Sequence, residues 1–251
     1  MLTNSEPEKS INPLVRIFGR ILHKLKTLFK VTFSSSFRAQ WTMEKFKKDR
    51  VQQTTQMTWE NRYPDIFLAC QNFFSGIKKE DIKILSYGCC TGEEVITLRR
   101  YFPKAVIVGA ELNKNSLKIC RKRDCDSNIH FIYSTPKSIQ KYGPYDAVFC
   151  MAVLERLPMV VKEKNITDLK KMYPFDKFEK QIHEIDTYVK EEGLLIAHFT
   201  HYDLMDTDIK DRYSALGVHG FTGTVFGKDS KIKKKEGFQQ SIFIKQKSNI
   251  E

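Results

Sequence analysis

The stretch ILSYGCCTGEEVITL, residues 84–98, decides the fold: an apolar run collapses into a glycine-flanked turn and then continues with helical periodicity. Gly88 and Gly92 bracket Cys89-Cys90-Thr91, and glycine permits positive φ and a close approach of ligand to backbone. The helix that follows begins with unpaired N–H groups. Glu93 and Glu94 at its start complement the helix dipole but repel phosphate. A G-x-x-x-G turn followed by two carboxylates suits a ligand with a cationic end better than a pyrophosphate, whose sites favour G-x-G-x-x-G.

Outward from this turn the chain alternates strands and helices. Strands are expected at IKILSY (82–87), AVIVGAEL (105–112), IHFIYS (129–134), YDAVFCM (145–151) and GLLIAHF (193–199). Helices are expected from about Gly92 to Tyr101, through SLKICRKR, and through FEKQIHEIDTYVKEEG, ending at Gly193. FTGTVF and GFQQSIFIKQK read as a closing pair of strands joined by a lysine-rich loop. Near-continuous apolar runs such as IKIL, AVIV and LLIA suit parallel strands covered on both faces. Repeated strand–helix units imply an α/β, doubly wound, mostly parallel sheet with right-handed crossovers. Ligands of such sheets bind outside the carboxyl ends of the strands. Glu111 ends the second strand 19 residues beyond Gly92, where an acid can accept hydrogen bonds from both hydroxyls of a ribose.

Four stretches carry a family resemblance: ILSYGCCTGEE, VIVGAELNKNSL, YDAVFCMAVLERL and EEGLLIAHF. In order and spacing they resemble the motifs of class I S-adenosylmethionine-dependent methyltransferases, and the first is similar to the turn of chemotaxis-receptor methyltransferases. The resemblance implies a Rossmann-like, seven-stranded sheet and S-adenosyl-L-methionine as cofactor, whose sulfonium agrees with a cationic ligand. It also implies that Tyr87, Gly88, Cys89 and Gly92 cradle the methionine part, that Glu111 holds the ribose and that Leu112 lies against adenine. Ser134 and Thr135 fall where the family often has an acid for the adenine amino group, and Cys150 and Met151 line the methyl-donor side. Ser86 stands where an acid is common, and Cys90 where glycine is common. Glu93 or Glu94 is then the candidate for the missing charge. The adjacent cysteines make a poor thiol site, since such a pair forms a strained disulfide and no further metal ligands lie nearby in sequence. No metal is expected.

The chain has 251 residues, 41% hydrophobic and 12% aromatic, enough for one sizeable core. Its net charge of +12 is uneven. Residues 1–50 hold eleven Lys/Arg against four Asp/Glu, a balance of +7, and KDSKIKKKE (228–236) adds five Lys against two acids. Charge placed this way points to an anionic partner. After Pro13, residues Leu14, Phe18, Ile21, Leu25, Leu28 and Phe29 form one stripe, with Arg16, Arg20, Lys24, Lys26 and Lys30 largely off it. Such a basic amphipathic helix, residues 13–30, either lies on an anionic membrane surface or packs on the domain. A second helical region is expected from Arg38 to Gln56, giving a basic helical extension over 1–58 and the main domain over 59–251. No run approaches the roughly 20 apolar residues of a membrane span, and MLTNSEPEKSINP lacks the pattern of a secretory signal. Six cysteines in a chain of this length read as reduced thiols. The expected location is cytoplasmic, with peripheral membrane attachment through the helix.

Methyl transfer needs mainly positioning, with a base useful where the acceptor is an alcohol or amine. His201, just past the fifth strand, and Glu155, after the fourth, are the candidate catalytic residues, each with loop hydrogen bonding as its other reading. No Asn/Asp-Pro-Pro-Tyr-like stretch follows the fourth strand, which disfavours amino-directed methylation of DNA bases. The leading expectation is methyl transfer to a hydroxyl or carboxyl of a small molecule, lipid or glycan. Methylation of structured RNA, or a cofactor-binding or membrane-docking module without turnover, are the alternatives.

Overall fold

The structure, a computed structural model, describes residues 13–47, 50–51, 53, 56–79 and 81–248. The expected absence of a signal sequence concerns residues that largely fall outside this set. Seven strands form one sheet in the order β3-β2-β1-β4-β5-β9-β6. They are β1 (Lys83–Tyr87), β2 (Val106–Glu111), β3 (Ile129–Tyr133), β4 (Tyr145–Met151), β5 (Val189–His198), β6 (Tyr213–Ala215) and β9 (Ile242–Lys245). Strands β1 to β5 pair in parallel, and β9 runs antiparallel between β5 and β6. This is a mostly parallel, doubly wound sheet whose order reverses between β1 and β4, placing the ligand crevice at their carboxyl ends.

Strand parity sorts the two core layers. Leu85, Tyr87, Val108, Val148 and Cys150 face one way, onto α6 (Pro136–Tyr142) and α8 (Phe175–Asp186) through Ile139, Phe178, Ile182 and Ile185. Ile84, Ile107, Phe149 and Met151 face the other, onto α3 (Pro64–Gly76) and α4 (Glu93–Tyr101) through Phe67, Phe74, Val95 and Leu98. Helix α4 starts on Gly92 in the left-handed region, with Glu93 and Glu94 in its first turn and Arg99 and Arg100 in its last. Charges so placed oppose the macrodipole at both ends. Helix α5 (Lys114–Cys120) is capped by Asn113, whose side chain accepts from the N–H groups of Asn115 and Ser116.

Three expected boundaries are corrected. Helix α8 stops at Asp186 rather than Gly193, because Tyr188 O accepts the Tyr145 N–H at 2.8 Å and Val189 already pairs with Tyr145. The Asp186 carboxylate closes that end, held by Arg212 at 2.6 Å, Lys245 at 2.9 Å and the Tyr213 hydroxyl at 2.8 Å. The expected closing pair is two separate structures. β7 (Gly220–Phe226) pairs with β8 (Ile232–Gln240) as a hairpin outside the main sheet, while β9 closes the sheet against β5 and β6. The lysine run 233–235 therefore lies in a strand, not a loop. Finally, α1 (Pro13–Phe33) and α2 (Ser35–Phe46) form the extension, and none of the described residues from 47 to 59 is helical.

Among the described residues, no helix is long and apolar enough to cross a membrane.

Candidate functional site

A cavity of about 300 Å³ opens at the carboxyl ends of β1, β2 and β4. That volume lies at the lower end of the range for small-molecule sites. Its floor is the β1–α4 turn. Gly88 has φ +78, and a Cβ there would lie 2.7 Å from Val153 Cγ2. Cys90, where the family favours glycine, takes φ 51 all the same, so the turn keeps its left-handed shape at a cost of about 1 kcal/mol in strain.

Glu111 sits beside that turn, 9% exposed. Its Oε2 accepts the Cys90 N–H at 2.8 Å and its Oε1 the Asn113 N–H at 2.5 Å. Burial lifts its carboxyl to about 7 against those hydrogen bonds. Glu94 also lines the cavity and accepts the Ser86 hydroxyl at 2.7 Å. The first turn of α4 thus brings a carboxyl group to Ser86, the position where an acid is expected from the resemblance. Burial raises Glu94 to about 7, with Ser86 and the Arg62 guanidinium pulling the other way. Glu93 turns away, accepting from Thr91 and pairing with Arg123.

Glu155 is the third acid of the cavity, 9% exposed. It stands on the loop after β4, which has left-handed residues at Ala152 (φ 55) and Leu157 (φ 47). Burial brings its carboxyl to about 7, while Gln53, donating from Nε2 at 3.4 Å, and Arg62 act to lower it. Arg62 lies over the rings of Trp59 at 4.4 Å and Tyr63 at 4.9 Å. The Tyr63 hydroxyl and Asn113 Nδ2 are buried with no hydrogen-bond partner among the described residues, and both residues line the cavity.

Of the residues expected from sequence, Tyr87, Gly88, Cys89, Glu111, Leu112, Ser134, Met151 and Glu155 line this cavity; Gly92, Thr135, Cys150 and His201 do not. Gly92 is the first residue of the α4 cap, with the Arg123 side chain over it. Thr135 caps α6, its hydroxyl accepting from Ser138 N–H. Cys150 points into the opposite core layer, fully buried, because neighbours on a strand face opposite ways. His201 is buried, with Nε2 at 3.0 Å from Arg156 O, and burial lowers its pKa. His198 bonds Ser241 Oγ at 2.8 Å and lines a neighbouring cleft. All six cysteines are free thiols. Among the described residues no group of His, Cys, Asp and Glu is placed to hold a metal ion.

The sequence reading missed the wall contributed by Met43, Arg50, Val51, Gln53, Gln56, Met57, Thr58 and Trp59. Arg50 pairs with Glu184 at 3.2 Å, Lys177 Nζ donates to Val51 O at 2.8 Å, and Gln56 donates to Ser116 Oγ at 3.0 Å. The domain boundary expected at residue 58 falls inside this wall.

A doubly wound sheet in this order, with an acid beyond β2 and a glycine turn beyond β1, defines a Rossmann-like methyltransferase fold. Residues 84–175 match the family model described as a methyltransferase domain. Residues 84–175 thus carry a methyltransferase domain, set on a mostly parallel sheet in the order β3-β2-β1-β4-β5-β9-β6. An uncharacterised protein of Rickettsia prowazekii (strain Madrid E) is 28% identical over 97 residues, 37% of this chain and 39% of that one. Among solved structures, the plantazolicin methyltransferase BpumL, in complex with a pentazolic desmethylPZN analog and SAH, aligns at 13% identity and TM-score 0.40, covering 66% of this chain and 54% of that one. PKMT2 from Rickettsia typhi, in complex with AdoHcy, aligns at 19% identity and TM-score 0.34 over 47% of this chain and 20% of that one. The chain therefore spans little more than half the length of these proteins at most.

Proposed function

We propose that the protein transfers a methyl group from S-adenosylmethionine to a hydroxyl or carboxyl oxygen of an apolar acceptor, a lipid or a small molecule of similar character. The observation that carries this reading is the placing of Glu155 and Glu111 in one cavity, one suited to a proton and the other to a ribose.

The residues present fit the donor. Glu111 would hold the ribose hydroxyls, Leu112 would lie along the adenine, and the backbone at Tyr87 and Gly88 would pass close to the methionine part. Glu94 supplies a partly buried carboxylate for a cationic group, and Asn113 Nδ2 supplies a donor that has no partner among the described residues. When bound, S-adenosylmethionine offers an activated methyl group and departs as the neutral thioether. Glu155 takes the proton that an acceptor O–H releases, since a carboxyl near 7 matches a general base working at neutral pH. Wall residues Met57, Trp59 and Met159 are 64%, 52% and 62% exposed, an apolar rim that favours an apolar acceptor over a glycan.

Glu155→Gln tests the assignment, using labelled methyl donor and fractionated lipid and metabolite extracts. Turnover of a hydroxyl acceptor should fall by about 10²–10⁴ while donor affinity by calorimetry stays within about twofold of the parent. Unchanged turnover removes Glu155 as the base. No product from any fraction leaves a donor-binding module without turnover. RNA as acceptor draws on the +12 charge and requires affinity to fall steeply between low and moderate salt; a flat salt response removes it.

A further inference from the structure

Helix α1 presents an apolar half-cylinder that nothing in the described structure covers. Ile17, Phe18, Ile21, Leu25, Leu28 and Phe29 are each at least half exposed, with Phe18 at 68% and Phe29 at 64%. Their spacings of three and four place them on one side of a 21-residue helix. Lys24, Lys26 and Lys30 are exposed as well, and the sequence holds no acid from Leu14 to Gln40. Among the described side chains, this apolar side of α1 is exposed rather than packed on the domain. Contacts of α1 with other elements are chiefly with α2.

We propose that α1 docks the protein on an anionic lipid surface, lying in the plane of the interface with its apolar side among the acyl chains and its lysines at the headgroups. An exposed apolar stripe on a soluble chain marks a surface that binds. Charge selects the partner, because a helix with basic residues and no acids meets anionic headgroups favourably and neutral ones indifferently. A second copy of the same helix would bring like charges together. Ser34 joins α1 directly to α2, where its side chain caps the helix by accepting the Phe37 N–H, and Met43 of α2 lines the donor cavity. The docked helix is therefore joined through α2 to the wall of that cavity. The docking itself does not depend on the methyl-transfer reading.

Co-sedimentation of the full chain with phosphatidylcholine vesicles, with and without phosphatidylglycerol, tests the proposal. The parent should partition at least about tenfold more strongly onto the anionic vesicles, and each of Lys24→Gln, Lys26→Gln and Lys30→Gln should weaken binding roughly fivefold. The combined variant Phe18→Glu, Leu25→Glu, Phe29→Glu should stay in the supernatant with an unchanged thermal midpoint, since these side chains contact solvent. A parent that remains in the supernatant with anionic vesicles overturns the proposal, as does equal binding by the triple glutamate variant. A dimer by sedimentation equilibrium that the same variant dissociates, with no vesicle binding by the parent, assigns the face to self-association instead. Salt-sensitive binding of RNA lost in the lysine variants, again without vesicle binding, assigns it to nucleic acid.

Discussion

Replacing Glu94 by Gln isolates the charge that the cavity accommodates. Burial lifts this carboxyl from 4.5 to about 7, opposed by the Ser86 hydroxyl at 2.7 Å and by Arg62. The folded chain holds the Glu94 proton more tightly than the unfolded chain does. Stability therefore falls as pH rises from the unfolded value to the folded one, and levels off above it. At about 1.4 kcal/mol per unit, the whole window carries about 3 kcal/mol, and the part between about pH 5.5 and pH 8 carries about 2 kcal/mol. Glu94→Gln keeps an acceptor for the Ser86 hydroxyl and removes the titration. Urea unfolding of the ligand-free protein at the two pH values should show the variant losing about 2 kcal/mol less than the parent. At the higher pH the variant should also bind S-adenosylmethionine roughly tenfold more weakly or worse, because a hydrogen bond to a charged group contributes about 1.5–3 kcal/mol. Identical pH dependence in parent and variant would refute the buried-charge reasoning. Identical donor affinity would separate Glu94 from the donor's cationic end.

Two further outcomes concern the frame around the site. Gly109→Ala in β2 would place a Cβ 2.9 Å from Phe131 Cδ1, 2.9 Å from Val95 Cγ2 and 3.0 Å from Cys89 Sγ; the variant should lose about 1–3 kcal/mol by urea unfolding, and a loss below about 0.5 kcal/mol would show that the layer yields easily. For Asp146, burial alone would raise the carboxyl, but Lys79, the Lys83 N–H and Lys190, each within 3.0 Å, hold it below its ordinary 3.8. Its stabilisation is present above the unfolded value and lost as pH falls through the folded one, so Asp146→Asn should cost about 1–3 kcal/mol at neutral pH and far less near about pH 2. A cost independent of pH in thermal melts would place the effect in packing.

The sheet was legible because buried parallel strands write themselves as apolar runs: β4 spans YDAVFCM as expected, and β1 and β2 differ from expectation only at their ends. Glu111 and the glycine turn were legible because a strand-end acid and a G-x-x-x-G step are local signals. Reading Cys150 and Met151 together as lining residues overlooked parity, which sends one of them into each layer. His201 was chosen for its nearness to the end of β5, but its N–H bonds Leu154 O and its ring bonds Arg156 O, so it braces the loop that carries Glu155. The wall from Met43 to Trp59 left little trace, since most of it is irregular chain whose placement depends on distant partners such as Glu184 and Lys177. Asn113 carries a local signal as well: it follows Glu111 by two residues and caps the next helix.

The hairpin β7–β8 changes the meaning of part of the basic charge. Among the described residues β8 has β7 as its strand partner; its other edge begins with the Ile232 N–H donated to Thr167 O at 3.0 Å and beyond that residue has no paired strand. Lys233, Lys234 and Lys235 are exposed along that strand, where a neighbouring copy would have to align like charges to add itself. Charge of one sign along an exposed strand raises the cost of adding a second copy edge to edge, so in this part the chain's net charge also bears on how the protein meets its own copies.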